Sequence, residues 1–400
     1  MARVSDPRPS PARRAAPASA LGIGLFLTAC LAPRIGLYTE ETPADIELFR
    51  TFGERMFDGE IPYRDIFVEY PPGALPAFVL PSLGPAEDWV LLFKVLQIGF
   101  GAAAVALVAL TLALLGAAPR RLYLATSFAA LAPLALGPTV LNRYDLWPAA
   151  LLAGGVAAVV AGRTTLGLGV LGAAVVAKGY ALAAVPPVLL YVWARGGRNE
   201  LKHGAIAFAA TAFVITAPFI VLGPGGLRHA FRIQTGRALH IESLGGSILT
   251  AADRLGLYVT NVFSSFSIEL HGSVADVVAL LSMLVQLAAI VSVWILFRRG
   301  PATAARLVVA AAAGVTAFVT FGKVLSPQFL IWLVPLVPLA RGILAPGLLL
   351  VALGLTQAFF PSRYRSVVAV GPEVWLVLTR NLVLISLFAV LATQLRAHRE

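Results

Sequence analysis

Apolar runs of about 20 residues, each long enough to cross a bilayer as a helix, recur along the whole of this 400-residue chain. They fall at 17–36, 89–117, 122–138, 143–162, 164–177, 179–194, 203–223, 274–297, 302–321, 325–340, 343–360 and 373–395. In lipid every backbone polar group must be satisfied within the segment, so such runs read as helices. The fold class is therefore an all-α polytopic membrane protein, a bundle of roughly twelve transmembrane helices. The halves flanking Lys178 are short, and read as one long tilted helix or a shallow hairpin. The proline-bracketed stretch 73–83 is shorter still and reads as re-entrant or interfacial.

Composition agrees: 58% of residues are hydrophobic and 13% charged. The single cysteine, Cys30, excludes an internal disulfide framework. A net charge of +11 would suggest a nucleic-acid partner in a soluble protein. Here it reflects cytoplasmic loops and anionic lipid, and no nucleic acid is expected. Residues 1–16 read as a disordered cytoplasmic tail, 17–395 as one transmembrane domain and 396–400 as a second tail.

Arginines and lysines in short loops set the orientation. Arg13, Arg14, Arg120, Arg121, Arg163, Arg195, Arg198, Lys202, Arg298, Arg299, Arg341 and Arg396 share one side if the runs alternate. Both termini are then cytoplasmic, and the two long loops, 37–88 and 223–273, face outward. The outer side also carries cations, among them Arg143, Arg237, Lys323 and Arg380. Ionisable groups at membrane depth are costly and hint at an anionic ligand such as a lipid phosphate, against the plainer reading of snorkelling to headgroups.

Almost half of the acid lies in the first outer loop: Tyr38 to Gly73 holds nine of the 20 carboxylates against three arginines. Four polar islands interrupt the apolar background: Asp45 with YRDIFVEYPPG (Tyr63 to Gly73), NRYDLWPA (Asn142 to Ala149), RALHIESLGGSIL (Arg237 to Leu249) and KVLSPQFLIWLVPL (Lys323 to Leu336). Lys178, alone in an apolar stretch, is a fifth candidate. No Walker motif, dinucleotide fingerprint or metal-ligand spacing of Cys and His is present, and no soluble nucleotide-sugar domain. No metal site or cofactor is expected, and an activated substrate should be membrane-borne.

In order and wording these islands resemble the bacterial polyprenyl-phosphate-mannose-dependent mannosyltransferases of the C-type (GT-C) glycosyltransferase superfamily. The resemblance spans nearly the whole chain. It implies a GT-C-like bundle in the bacterial cytoplasmic (inner) membrane, with an active site at the outer face. It further implies a polyprenyl-phosphate sugar donor, mannose first, and a glycolipid or lipid-linked glycan acceptor. Asp45, early in the first outer loop, matches the position of the family's catalytic carboxylate. Its implied role is general base in an inverting displacement, with the lipid phosphate leaving without a general acid.

Each candidate has a plainer reading. Asp45 follows Thr42-Pro43, a good helix start, and could cap a surface helix; Glu47 is its nearest competitor and lies on another helix face. Asp65 and Glu69 would share a face, but Pro71 and Pro72 disfavour helix, so a structural or substrate-orienting role with Arg64 as ion partner is expected. Tyr70 could stack on a sugar or anchor the loop. Arg143 and Asp145 read as an ion pair holding helices, or as a phosphate contact fixed by its acid. Lys178 demands a carboxylate or phosphate partner. His240 and Glu242 could hold a headgroup or merely be solvated. Lys323, Ser326 and Gln328 stand where a helix start and a cation favour phosphate. The arginine-rich second loop could serve an anionic acceptor. Other readings are an arabinofuranosyltransferase using the analogous donor, a lipid-linked sugar flippase and a non-catalytic scaffold.

Overall fold

The structure, a computed structural model, describes residues 10–32, 44–264 and 267–396. Arg34, Glu40, Glu41 and the Thr42-Pro43 start lie outside the described residues, as do 1–9 and 397–400 of the expected tails. Each apolar run nonetheless has its helical counterpart.

The first helix, α1 (Pro11–Leu31), opens ahead of the apolar run at 17 because Ser10 accepts from the Arg13 amide and Pro11 fixes the first turn. In the first long loop lies α2 (Ala44–Phe57), whose Ile46, Phe49 and Phe52 are buried while Asp45 and Glu47 occupy its first turn, where the helix dipole favours acid. The proline-bracketed stretch is helical throughout, with α3 (Leu75–Val79) between two 3-10 turns. Over Pro72–Leu83 it is too short to cross a bilayer.

There follow α4 (Trp89–Leu114), α5 (Pro119–Leu136), α6 (Leu146–Val160) and α7 (Thr164–Ala177). Lys178 is extended (φ −163°, ψ 120°), and a 3-10 turn over Gly179–Ala184 leads into α8 (Val185–Leu222). The break at Lys178 is thus a sharp reversal rather than one long tilted helix: the chain runs back to the start of α7, where Thr164 donates to Glu200, as the hairpin reading expects. α8 is two helices joined at Gly197, whose φ of 72° lies in the left-handed region glycine tolerates. At 1.5 Å per residue its 38 residues run about 57 Å, nearly twice the hydrocarbon core, so the break separates two crossings.

The second long loop holds α9 (Pro224–Gly236), α10 (Leu244–Arg254) and, contrary to a wholly helical reading, a three-stranded antiparallel sheet ordered β1-β3-β2. Its strands, β1 (Leu239–His240), β2 (Asn261–Ser264) and β3 (Ile268–His271), are too short to carry a strand period in the sequence. The bundle closes with α11 (Ser273–Arg298), α12 (Ala304–Phe321), α13 (Leu344–Phe359), α14 (Tyr364–Val368) and α15 (Val374–Arg396). Between α12 and α13 the run 325–340 forms 3-10 turns at Pro327–Leu333 and Val337–Leu339. Among the described residues seven helical stretches are long and apolar enough to cross a membrane, with shorter apolar ones between them.

Small residues let the backbones approach. A Cβ on Gly172 of α7 would fall 2.4 Å from the Phe208 carbonyl of α8, and one on Gly314 of α12 would fall 2.7 Å from that of Ala183. α12 is the central post, buried along most of its length. At one end of the bundle Arg306 donates to the carbonyls of Leu296, Phe297, Pro301 and Leu395, satisfying helix ends that lack intrahelical partners. At the other end the two long loops build satellite cores on the helices. Ile46, Phe49, Tyr63, Phe78, Trp89 and Tyr144 form one, and Leu239, Ile241, Leu270, Phe359 and Val377 another. The loops also meet each other: Gln234 donates to the Glu69 carbonyl.

Candidate functional site

The end of the bundle that carries both long loops gathers most of the candidate residues. Asp45, from the first turn of α2, forms an ion pair with Arg143, from the turn before α6. Asp145, two residues on and 1% exposed, takes Lys178 instead, with Nζ 2.6 Å from Oδ1. The expected pairing of Arg143 with Asp145 is therefore not what forms. Neighbours in sequence, the two point to partners brought from different elements. The same Asp145 oxygen accepts from Trp332 Nε1 at 2.6 Å, so one carboxylate fixes both a cation and an indole.

Aromatic faces enclose the ammonium. Lys178 Nζ stands 4.4 Å from the Tyr144 ring centroid, 5.1 Å from that of Trp332 and 5.8 Å from that of Phe329. Trp332 is itself sandwiched between Tyr180 and Phe329, at 3.9 and 4.1 Å. The position of Lys178 follows from close packing: a Cβ on Gly73 would sit 2.6 Å from the Val176 and Ala177 backbone, and Trp147 Nε1 donates to the Gly73 carbonyl. The 3-10 turn after YRDIFVEYPPG is thereby pressed on the end of α7. This brings Glu69 and Tyr70, hydrogen-bonded to each other, beside Lys178 and Arg237. Burial pushes the Glu69 carboxyl up despite the nearby Arg237 guanidinium, and Tyr70 is raised well above its usual value by burial next to Glu69.

The second loop supplies a further cluster. Glu242 is buried, its backbone carbonyl accepts from Arg380 Nη2 (2.8 Å) and Asn381 Nδ2 (3.1 Å) of α15, and its carboxylate is 3.7 Å from Arg380. Tyr364 hydrogen-bonds the same carboxylate, and Arg143 lies within electrostatic reach. Burial outweighs these cations and lifts the Glu242 carboxyl to about 7. Arg380 Nε and Nη1, and Arg143 Nε, are buried without a hydrogen-bond acceptor among the described residues. His240 accepts the Glu242 amide at Nδ1 and bonds the Leu325 backbone. Both ring nitrogens are engaged, and burial beside Arg237 and Arg380 holds the ring neutral, down to about 3. Lys323 donates from Nζ to the Thr235 carbonyl, while Arg237 reaches Glu269 at 3.5 Å.

Asp45, Glu69, Tyr70, Arg143, Asp145, Lys178, His240, Glu242 and Lys323 thus come to one end of the molecule. Asp65 does not join them: it is held low and outward by Arg64 (2.9 Å) and the Ile61 amide. Ser326 and Gln328 bond each other at 2.6 Å as Pro327 opens a 3-10 turn rather than an α-helix. Trp332, Tyr180 and Tyr364 carry no site signal of their own in the sequence, whereas Arg380, a charge inside the apolar run 373–395, does. In sum, five cations (Arg143, Lys178, Arg237, Lys323, Arg380) face five carboxylates (Asp45, Glu69, Asp145, Glu242, Glu269), two of which burial pushes toward neutrality. Burial disfavours charge on both sets alike, and what is left over for an anion is the group of buried donors at Arg143 Nε and Arg380 Nε and Nη1.

No protein-family model matches the chain, and no curated protein does. Among solved structures it is similar to the crystal structure of ArnT from Cupriavidus metallidurans bound to undecaprenyl phosphate, at 12% identity. The TM-score is 0.50, and the match covers 95% of this chain and 77% of that one. The likeness is one of architecture: a mostly helical membrane bundle like that of ArnT.

Proposed function

We propose that the protein is a membrane glycosyltransferase that moves a hexose, mannose first, from a polyprenyl phosphate to a hydroxyl of a lipid-linked glycan at the outer face of the cytoplasmic membrane. The observation that carries this reading is the joining of Asp45 to Arg143 beside Lys178, Arg237 and Arg380, with buried guanidinium N–H groups of Arg143 and Arg380 left without acceptors among the described residues. A fold shared with a protein that binds undecaprenyl phosphate supports a lipid-phosphate donor.

The chemistry is a single displacement. Arg143, with Lys178 beside it, grips the donor phosphate, and this contact competes with the Arg143–Asp45 ion pair and releases the Asp45 carboxylate. The freed carboxylate takes the acceptor hydroxyl proton as that oxygen bonds to the anomeric carbon. The bond from that carbon to the phosphate oxygen breaks on the opposite face, its electron pair leaves with the lipid phosphate, and the anomeric centre inverts. Asp145 holds Lys178 in place, and the Tyr144, Phe329 and Trp332 rings exclude water around it. Glu69 and Tyr70 line the sugar side.

The test is transfer by purified protein in detergent micelles, from polyprenyl phosphates labelled in mannose or in arabinofuranose, to a membrane lipid extract. Labelled glycolipid should form from the mannose donor. A flippase makes no glycosidic bond and forms none, and product from the arabinofuranose donor alone would change the sugar but keep the mechanism.

A further inference from the structure

A cavity lies outside the charged cluster. A groove of about 510 Å³ runs between Pro72, Leu75 and Val79 of the first loop and Ile215, Phe219 and Leu222 at the end of α8, with Gly59 to Pro62 at its mouth. Its lining is mainly apolar. The one charged lining residue, Glu60, is bound by Arg55 in an ion pair. The α8 wall continues into the helix's exposed apolar surface of Phe213, Val214, Ile220 and Val221, so the groove opens sideways onto lipid.

At Leu222 the apolar helix ends, and after Gly223 the chain turns into α9. That turn is clamped on the first loop: a Cβ on Gly226 would lie 2.0 Å from the Tyr63 carbonyl, and Tyr63 itself adopts φ 67°. α9 buries Ala230 and turns Arg228 and Arg232, one turn apart, outward with Phe231. No described carboxylate pairs with either arginine, and α9 bears no acid. A helix with exposed arginines and an exposed aromatic, starting where a lipid-facing helix stops, lies at headgroup level. The groove is also wired to the charged cluster. Phe219 meets the Tyr63 ring edge-on at 5.2 Å, and the Tyr63 hydroxyl donates to the carbonyl of Tyr70, which bonds Glu69.

We propose that this groove seats an acyl chain of a phosphate-bearing lipid, the acceptor of the transfer, and that Arg228 and Arg232 hold its phosphate. The acceptor assignment rests on the glycosyltransferase reading, whereas the lipid site itself does not. The chain lies against Ile215, Phe219 and Val79, the phosphate stands on α9, and the glycan reaches past Tyr63 and Tyr70 toward Asp45.

The experiment is equilibrium binding of dansyl-labelled phosphatidic acid to the full-length purified protein in a neutral detergent. Wild type should bind it. Ile215→Trp, which fills the groove, should weaken binding at least tenfold, as should the Arg228→Gln/Arg232→Gln pair. Val79→Trp fills the same space from the opposite wall, so agreement between the two tryptophan variants separates blocking from misfolding. A dansyl diacylglycerol of the same chains should bind at least tenfold more weakly than the phosphatidic acid. Glycerol 3-phosphate should not compete; equal potency would make this a free-phosphate site and overturn the proposal. Unchanged binding in both tryptophan variants, or equal binding of the uncharged lipid, overturns it as well. Asp45→Asn should keep full binding. A failed transfer reaction with intact lipid binding would then count against the transferase reading alone.

Discussion

The Asp145 carboxylate and its two donors can be tested as a coupled unit. Asp145 Oδ1 accepts from Lys178 Nζ and Trp332 Nε1, each at 2.6 Å, from a carboxylate that is 1% exposed. At that distance and an effective dielectric near 20, the attraction of the charged pair is about 6 kcal/mol, most of it offset by the desolvation of both groups. Removing one partner forfeits the attraction and keeps the other's desolvation cost, so Asp145→Asn and Lys178→Met should each destabilise by about 3 kcal/mol. Both values sit at the low end for a buried pair. Lys178 retains 17% exposure and its aromatic neighbours when Asp145 is neutralised, and Trp332 still donates to Asp145 when Lys178 is gone. The double variant buries no orphaned charge and should cost about as much as one single, a coupling of about 3 kcal/mol. Unfolding by SDS in mixed micelles, on the four proteins of the cycle, measures it. Additive single effects, with a coupling below about 1 kcal/mol, would refute the buried-pair argument.

Other expectations follow from the same geometry. The Glu242 carboxyl lies at about 7 in the folded chain against an ordinary 4.5, so the folded state binds the extra proton between those values. Its contribution to stability is fully present below pH 4.5 and is lost as pH rises through 7, about 3 kcal/mol in all. Unfolding midpoints measured from pH 5 to pH 8 should fall more steeply in wild type than in Glu242→Gln, and parallel curves would remove Glu242 as the source. Gly73→Ala places a methyl 2.6 Å from the Val176 and Ala177 backbone, where nothing flexible can yield. It should lower stability by about 1–3 kcal/mol and displace Lys178, with loss of transfer. A fully active Gly73→Ala protein would show that the first loop does not position that lysine.

The helices were legible because apolar runs report what lipid demands of a backbone, segment by segment. Even the split runs 179–194 and 203–223 anticipate the two halves of α8 on either side of Gly197. Pairings were less legible. Arg143 and Asp145 stand two apart, and that proximity suggested a pair, yet at the turn before α6 they diverge to Asp45 and Lys178, from elements about 100 and 33 positions away. Lys178 announced its need for a partner by its cost in an apolar stretch, but nothing local names the partner. Trp332 sat inside a recognised motif and read as an apolar residue, since its indole N–H matters only once Asp145 is beside it. The sheet of the second loop escaped because strands of two to four residues leave no period to detect.

The central claim is that Asp45 takes the acceptor proton once Arg143 has moved to the donor phosphate. The most direct measurement is single-turnover transfer from labelled polyprenyl-phosphate mannose by wild type and Asp45→Asn in lipid nanodiscs, with donor affinity measured alongside. Loss of a general base should slow transfer by about 10²–10⁴-fold. Donor affinity should hold or tighten, because Arg143 no longer has a carboxylate to leave. Turnover by Asp45→Asn within a few-fold of wild type, at unchanged donor affinity, would contradict the account.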